Sequence, residues 1–202
     1  MPKIKLTKSE LKTQRDSLKQ FTRFLPTLQL KKQQLQLETR NSLEKIEKNK
    51  QRENDFKINI KSWISMFGDD HELERILKYI EVKEIESQIH NIAGVELPIY
   101  VKTHFNIESY DLFNESPWVD DAIQALCDLV EIRAERDILK EQYIRISKEL
   151  RTTTQRVNLF EKVKIPECND NIKIIQIYLG DQLTSAVGRS KIAKKKLAEV
   201  AL

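Results

Sequence analysis

The apolar residues near the amino terminus recur at intervals that alternate between three and four, with some positions skipped. The series comprises Leu11, Leu18, Phe21, Leu25, Leu28 and Leu35. This spacing places one apolar stripe along a helix and is typical of a coiled-coil seam. After a shift to Leu43 and Ile46, the series resumes at Phe56, Ile60, Trp63 and Phe67. The pattern predicts one long helix with a stutter near Leu43 and a kink or a new start at Pro26.

A stripe this thin needs a partner helix, because an isolated helix in water is marginal. A second helix is predicted to begin at Pro117, with Asp120 and Asp121 in its first turn. Its seam comprises Val119, Ile123, Leu126, Val130, Leu139, Tyr143, Ile146, Leu150, Val157 and Phe160. Pro166 should interrupt this seam, which restarts at Ile172. An antiparallel pairing of the two segments buries both stripes most simply.

The middle of the chain has different periodicities. Residues 72–81 fit a short helix, and apolar residues then alternate with polar ones on both sides of Ala93-Gly94. Alternation around a glycine turn indicates a β-hairpin. The predicted fold is mainly α, a long antiparallel two-helix coiled coil with a small middle insertion. Its parts are residues 1–67, 68–116 and 117–202.

Composition excludes several classes of protein. Charged residues are 33% of the chain and there are only four glycines, which disfavours a compact α/β enzyme. No apolar run approaches the length of a membrane span, and the first residues lack the apolar run of a signal peptide, so we expect a cytoplasmic protein. Cys127 and Cys168 are expected to be free thiols.

Charge is unevenly distributed along the chain. Residues 1–40 hold ten Lys or Arg against three Asp or Glu, and residues 186–202 hold five against one. Both ends are therefore basic and the middle is acidic. Basic ends could face nucleic acid, an anionic membrane or an acidic protein surface, or could simply be a solvated helix surface.

Motifs of catalysis, nucleotide binding and metal binding are missing from the sequence. The three histidines, His71, His90 and His104, are scattered without ligand-like spacing. The basic residues near the carboxyl terminus lack the interleaved aromatics of a nucleic-acid reader. We therefore expect no catalytic residue, no metal and no cofactor.

Two stretches resemble one family, the D-subunit of the V-type and A-type ATPases, which is the central rotor stalk. The amino-terminal stretch matches the family at Leu28, Lys31, Lys32 and Leu35, although Phe24 stands where the family has glycine. The carboxyl-terminal stretch matches at Arg156, Val157, Asn158, Glu161, Ile165, Pro166 and Ile172. The turn at residues 92–98 also resembles the hairpin of the family.

The resemblance implies a shaft that is not an enzyme. It implies three partners: a hexamer of catalytic and non-catalytic nucleotide-binding subunits, the small F-subunit of the stalk, and a funnel-shaped subunit above the membrane ring. Nucleic-acid binding and direct membrane insertion are not expected. The resemblance also implies a peripheral position on the cytoplasmic side of the membrane, as part of a membrane-bound complex. Its candidate partner-binding residues are Lys31, Lys32, Arg156, Asn158 and Glu161.

The basic carboxyl-terminal end of the chain leads to a separate hypothesis. Lys194, Lys195 and Lys196 are expected to meet acidic surfaces that line the hexamer. An adaptor or tether built on a coiled coil, unrelated to ATPases, remains the alternative function. The coupling ion and the working direction of the complex are not determined by this sequence.

Overall fold

The computed structural model describes residues 4–64, 76–111, 115 and 117–200, without the side chains of residues 62–64 and 198–200. Helix α1 spans Lys8–Ile64, strands β1 and β2 span Ile80–Ile92 and Val95–Ile107, and helix α2 spans Val119–Leu159. A π-helical segment, Phe160–Lys164, connects α2 to helix α3, Ile165–Val200. The predicted mainly helical fold with a hairpin insertion is confirmed.

The chain forms two compact units. The first contains the described residues within 1–32 and 152–202, and the second contains those within 33–151. In the first unit, Gln14 of α1 accepts a hydrogen bond from Asn171 of α3, and the rings of Phe21 and Phe160 lie 5.0 Å apart. Phe21 follows Gln14 in α1, whereas its partner Phe160 precedes Asn171, the partner of Gln14. The two paired segments therefore run antiparallel.

The second unit holds another antiparallel helix pair. Leu35 of α1 packs with Ile146 of α2, and Asn49 and Glu53 of α1 contact residues 133–136 of α2. Ile146 is 1% exposed and Leu35 is completely buried. Ile146 belongs to the predicted seam of α2, whereas residues 133–136 lie in the gap that the prediction left between Val130 and Leu139.

The seam of α1 is continuous, and the predicted stutter near Leu43 is wrong. Leu43 is 48% exposed, whereas Ser42 and Asn49 are buried. Every seam residue is at least half-buried, in the order Leu11, Gln14, Leu18, Phe21, Leu25, Leu28, Lys32, Leu35, Thr39, Ser42, Ile46, Asn49, Glu53, Phe56 and Ile60. These positions alternate between steps of three and four without a break, so the heptad persists where polar residues replace apolar ones.

Helix α1 begins with a cap and continues through its proline. The hydroxyl of Thr7 accepts a hydrogen bond from the backbone N–H of Glu10 at 3.2 Å, which satisfies one of the free donors of the first turn. Pro26 lies inside the helix, so of the two expectations for this position, a kink or a new start, the new start is wrong. The exposed side of the helix accommodates the ring, because Pro26 itself is exposed.

Strands β1 and β2 form a two-stranded antiparallel hairpin. Ala93 and Gly94 form its two-residue turn with positive φ at both positions, as a turn that matches the strand twist requires. Residues 76–79 are helical, but Ile80 already pairs with Ile107. The predicted short helix therefore ends one residue before Ile80, and its first four residues lie outside the described part.

The hairpin packs along α2 within the second unit. Tyr79 and Ile80 at its base contact a cluster that includes Val119 and Ile123, and the turn residues Ile92 and Val95 contact the cluster of Leu35, Leu97 and Ile146. About 13 strand residues at ~3.3 Å span the same distance as about 28 helical residues at ~1.5 Å. The hairpin and the start of α2 are therefore matched in length.

The helix continues through Pro166, and Cys168 just after it is buried, so the predicted interruption of the seam at Pro166 is wrong. The seam changes register earlier, in the π-helical segment Phe160–Lys164. The N–H of Ile165 donates to the carbonyl of Phe160, five residues earlier. The seam on this side follows Val157, Phe160, Lys164, Cys168, Asn171 and Ile175, each half-buried or buried. Two successive steps of four add a residue to the heptad, and the wider π turn accommodates it.

Candidate partner-binding surfaces

A buried ionic cluster occupies the seam of the second unit. The carboxylate of Glu53 on α1 pairs with Lys57 at 2.7 Å, with Arg133 at 3.2 Å and with Arg136. The Glu53 side chain is 5% exposed. The hydrogen bond from Lys57 is the main cause that lowers the pKa of Glu53 to about 2, against the opposing effect of burial. The carboxylate is therefore ionised at any physiological pH.

One turn earlier, a second polar contact crosses the same seam. Asn49 donates a hydrogen bond to Glu135 at 2.9 Å, and Arg52 approaches the same carboxylate at 3.4 Å. Polar residues at seam positions fix the register and partner of a coiled coil at a cost in stability. These contacts align α1 and α2 rather than form a reactive site, because each carboxylate is paired with cations or amides.

The carboxyl-terminal residues that the resemblance names lie around one buried seam position of the first unit. Arg156 and Asn158 are at the end of α2, and Glu161 is in the π-helical segment. Val157 is 3% exposed, whereas Arg156, Asn158 and Glu161 are exposed. Adjacent helical residues are about 100° apart, so Arg156 and Asn158 flank Val157 on opposite sides of the helix. Asn158 and Glu161, three residues apart, share a side. The structure therefore separates Arg156 from the other two.

Lys31 and Lys32 lie on α1, and both are half-buried. Lys32 occupies a seam position between Leu28 and Leu35. Its aliphatic stem can pack in the seam while its ammonium group reaches solvent. Lys31 lies next to the seam, so the two lysines present their charges on adjacent sides of one helix.

Lys194, Lys195 and Lys196 lie in the last described turns of α3, and all three are exposed. Ile175, with no exposed surface, is the last fully buried residue of α3 in the described range. Beyond it, apolar side chains such as Leu183 and Leu197 are 61% and 72% exposed. This part of α3 combines exposed apolar side chains with a cluster of positive charge.

The two cysteines are poor candidates for chemistry. Both are free thiols, Cys168 is buried and Cys127 is half-buried. Burial raises the pKa of both thiols, so the reactive thiolate is disfavoured. Among the described residues, no group of His, Cys, Asp and Glu is arranged to hold a metal ion.

The described histidines, His90 and His104, both lie on the hairpin. His104 on β2 lies 3.4 Å from Glu86 on β1, and both side chains are about half exposed. His90 is exposed on β1, and His71 lies outside the described residues.

None of the helices that the structure describes is apolar enough over sufficient length to cross a bilayer.

The sequence interpretation missed the polar seam residues Ser42 and Asn49. It noted Glu53 as a weak seam position but did not identify its three cationic partners. The signal was available, because Leu35, Ser42, Asn49 and Phe56 are each seven residues apart. Continuing the heptad through polar residues, instead of moving to the nearest leucine, would have found the cluster.

Comparisons with known proteins cover nearly the whole chain. Residues 10–195 match the family described as the ATP synthase D-subunit. The chain is 47% identical to the V-type ATP synthase D-subunit of Borreliella burgdorferi, over 98% of this chain and 96% of that protein. It is 33% identical to the V-type ATP synthase D-subunit of Chlamydia pneumoniae, over 96% of this chain and 93% of that protein.

Proposed function

Because the chain belongs to the ATP synthase D-subunit family, we propose that it is the non-catalytic central shaft of a V-type ATP synthase. In this role it couples ion flow through a membrane ring to ATP synthesis, or ATP hydrolysis to ion pumping. The protein is peripheral and lies on the cytoplasmic side of the membrane. It requires no cofactor, since the nucleotides bind to other subunits.

The unbroken seam of α1 is the observation that carries the proposal. A shaft must transmit torque, and a helix transmits torque only when its partner prevents it from bending and unwinding. The seam residues of α1 follow heptad spacing within each unit, from Leu11 to Lys32 in the first and from Leu35 to Ile60 in the second. Buried polar pairs at Asn49 and Glu53 oppose sliding of the helices, because sliding would separate buried charges.

A shaft acts by making different contacts with chemically equivalent sites. Three catalytic interfaces of a hexamer surround it, and each meets a different side of an asymmetric helix pair. Conformations shift only where such contacts differ in free energy. Rotation then passes each interface through the same series of nucleotide affinities, so this chain needs no catalytic side chain.

The exposed end of α3 is proposed to lie inside the hexamer. Its lysines, Lys194, Lys195 and Lys196, would meet acidic surfaces there, and its exposed leucines would contact an apolar lining. The small F-subunit of the stalk and the funnel-shaped subunit would bind elsewhere on the chain. Lys31, Lys32, Arg156, Asn158 and Glu161 are proposed contacts of these partners.

Native mass spectrometry of the complex, purified gently from its own cells with a tag on this chain, tests the shaft proposal. We expect one copy of this chain, one small partner and three copies each of two large nucleotide-binding chains. A homodimer or an unrelated partner, under conditions that preserve large complexes, would contradict the proposal. That outcome would favour the coiled-coil adaptor instead.

Charge reversal tests the proposed contact of the basic end. The triple variant K194E/K195E/K196E should bind the hexamer at least about tenfold more weakly than the unmodified chain. The affinity of the unmodified chain should also fall more steeply with rising salt than that of the variant. The matched control is K45E/K48E/K50E, which reverses three exposed lysines of α1 in the second unit. Equal affinities of both variants for the hexamer would rule out the contact.

A further inference from the structure

The outer edge of β1 is open in the described structure. The sheet there contains only β1 and β2, so β1 pairs along one edge alone. Residues 81–91 of β1 are all exposed. Such an edge presents a row of backbone N–H and C=O groups that can pair with another strand.

The outer edge of β2, in contrast, is covered by α2. Gln142 of α2 donates a hydrogen bond to the carbonyl of Pro98, and Arg145 donates to the carbonyl of Glu96 at 3.1 Å. Near the turn, side chains of α2 therefore satisfy two of the β2 carbonyls that point away from β1. Leu97 is 2% exposed and packs with Leu35 and Ile146.

The position of Pro98 identifies which groups of β1 point outward. Pro98 has no N–H, and its carbonyl points to α2, so its backbone faces away from β1. Its pair partner is Ile89. In an antiparallel pair, opposite residues either both face each other or both face away, so the backbone of Ile89 faces the open edge. The direction of the backbone groups alternates along a strand, so the backbone groups of Ile85, Ser87 and Asn91 also face the open edge.

Nine residues of β1 form a regular template. The register shift between Val82 and Glu84 places a bulge at Lys83, and the other shift leaves Val101 of β2 unpaired. From Glu84 to Ile92, β1 is therefore free of bulges, over a length of about 30 Å. Bulges and charges usually protect an edge of this length. Here the bulge protects only the base of the hairpin.

Charge indicates what kind of strand fits the edge. Glu84 and Glu86 lie on one face of β1, and they pair across the sheet with His104 and Lys102 of β2. Ile85 and Ile89 lie on the other face, 44% and 71% exposed. A strand on the open edge would meet the same carboxylates from the other side, so it should carry basic residues beside them, as β2 does at Lys102.

A second copy of this chain is a poorer occupant. The stretch from Glu81 to Glu86 holds three glutamates and one lysine. Parallel pairing of two copies of β1, or antiparallel pairing centred between Glu81 and Glu86, would bring these like charges into one ladder, which is destabilising. The charge thus favours a strand of opposite sign from a different protein.

We propose that the edge of β1 from Glu84 to Ile92 binds an extended segment of a partner protein by strand addition. The backbone groups of Ile85, Ser87, Ile89 and Asn91 pair with the segment. Its basic residues lie beside Glu84 and Glu86, and its apolar residues lie beside Ile85 and Ile89. The proposal is independent of rotary function, because it concerns only this edge.

The test uses the full chain and a fluorescein-labelled peptide in which lysine and valine alternate over nine positions. Fluorescence anisotropy at low salt measures its affinity. The variant Ile89→Pro removes an outward N–H without removing a hydrogen bond of the hairpin. The matched variant Ile89→Ala keeps this N–H and loses the side chain. We expect Ile89→Pro to weaken binding by about tenfold and Ile89→Ala by less than about threefold.

A second pair of probes avoids dependence on the folding of the proline variant. The same peptide, N-methylated on the alternate amides that would face β1, keeps its charge but cannot donate to the edge. We expect it to lose binding to the unmodified chain, and the unmethylated peptide to slow amide exchange at Ser87 and Ile89. Equal binding of both peptides, or no saturation of the unmethylated one by about 1 mM, would overturn the proposal. Self-association through β1 in sedimentation would overturn the choice of a different protein.

Discussion

Arg133 on α2 donates a hydrogen bond from its Nε to the carboxylate of Glu53 on α1, with the two atoms 3.2 Å apart. Lys57 and Arg136 bind the same carboxylate. Glu53 lies on the seam and is nearly buried, so its charge depends on these three cations. The pair therefore links the register of α1 to that of α2 within the second unit, because a shift of either helix would leave a buried charge without partners.

Replacing Glu53 by glutamine should destabilise the protein. The variant keeps the shape of the side chain but leaves Arg133 and Arg136 without a buried counter-charge. We expect a loss of about 2–3 kcal/mol in the free energy of unfolding, measured by urea denaturation. The control is Glu47→Gln, an exposed position of the same helix, for which a change within about 0.5 kcal/mol is expected. Equal effects of the two variants would contradict a structural role of the cluster.

The same carboxylate predicts how stability depends on pH. The pKa of Glu53 falls from 4.5 to about 2, with the hydrogen bond from Lys57 as the largest cause. The folded state thus binds this proton less readily than the unfolded state. The contribution of Glu53 is complete above pH 4.5 and is lost as the pH falls toward about 2.

Urea midpoints measured at intervals across this pH range test the linkage. The difference in stability between the unmodified chain and Glu53→Gln should shrink as the pH falls from 4.5 toward about 2, because other carboxylates titrate equally in both proteins. A difference that stays constant over this range would show that the cluster does not hold Glu53 ionised.

Leu35 and Leu43 provide a test of the seam register. Leu35 is fully buried between α2 and the hairpin turn, whereas Leu43 is 48% exposed. Leu35→Ala should cost about 3 kcal/mol in unfolding free energy, and Leu43→Ala about 0.5 kcal/mol or less. Urea denaturation of both variants measures the contrast. A larger loss of unfolding free energy for Leu43→Ala than for Leu35→Ala would support the stutter that the apolar pattern predicts.

The helices and the hairpin were predictable because their signals are local. Pro117 and Asp120 mark the start of a helix, and Ala93-Gly94 marks a tight turn, without any knowledge of distant residues. The register around Ser42 and Asn49 was not predictable from apolar residues alone. Asn49 and Glu53 are buried beside Glu135 and Arg133, which lie 86 and 80 residues away in the sequence. These distant residues provide the partners that make burial of polar groups tolerable.

The candidate surfaces were predictable only in part. The positions of Arg156, Asn158 and Glu161 came from a resemblance, and helical geometry then separated Arg156 from the other two. The open edge of β1 could not be predicted from alternation, since alternation shows that a strand exists but not which edge is covered. That distinction depends on Gln142 and Arg145, which reach β2 from another element.

The turn of the hairpin should respond in opposite directions to two reciprocal substitutions. Ala93 has φ of 52° and Gly94 has φ of 80°, in the region where a Cβ atom is strained. Ala93→Gly should raise the unfolding free energy by about 0.5–1 kcal/mol, and Gly94→Ala should lower it by about 1 kcal/mol. Thermal unfolding of both variants measures the two signs. The same sign for both would contradict the assigned turn.

Pro26 should reduce the stability of α1, because it lies inside a continuous helix. Its ring removes one backbone donor and crowds the preceding turn, which costs about 3 kcal/mol in a helix interior. Pro26 is exposed, so little packing is lost when it is replaced. Pro26→Ala is therefore expected to raise the unfolding free energy by about 1–2 kcal/mol in urea denaturation. The control is Gln33→Ala, an exposed substitution in the same helix that removes no proline and should change little. If Pro26→Ala were instead destabilising, the helix would need the bend that the proline imposes, and the matching bend would have to lie in the helix that packs against it.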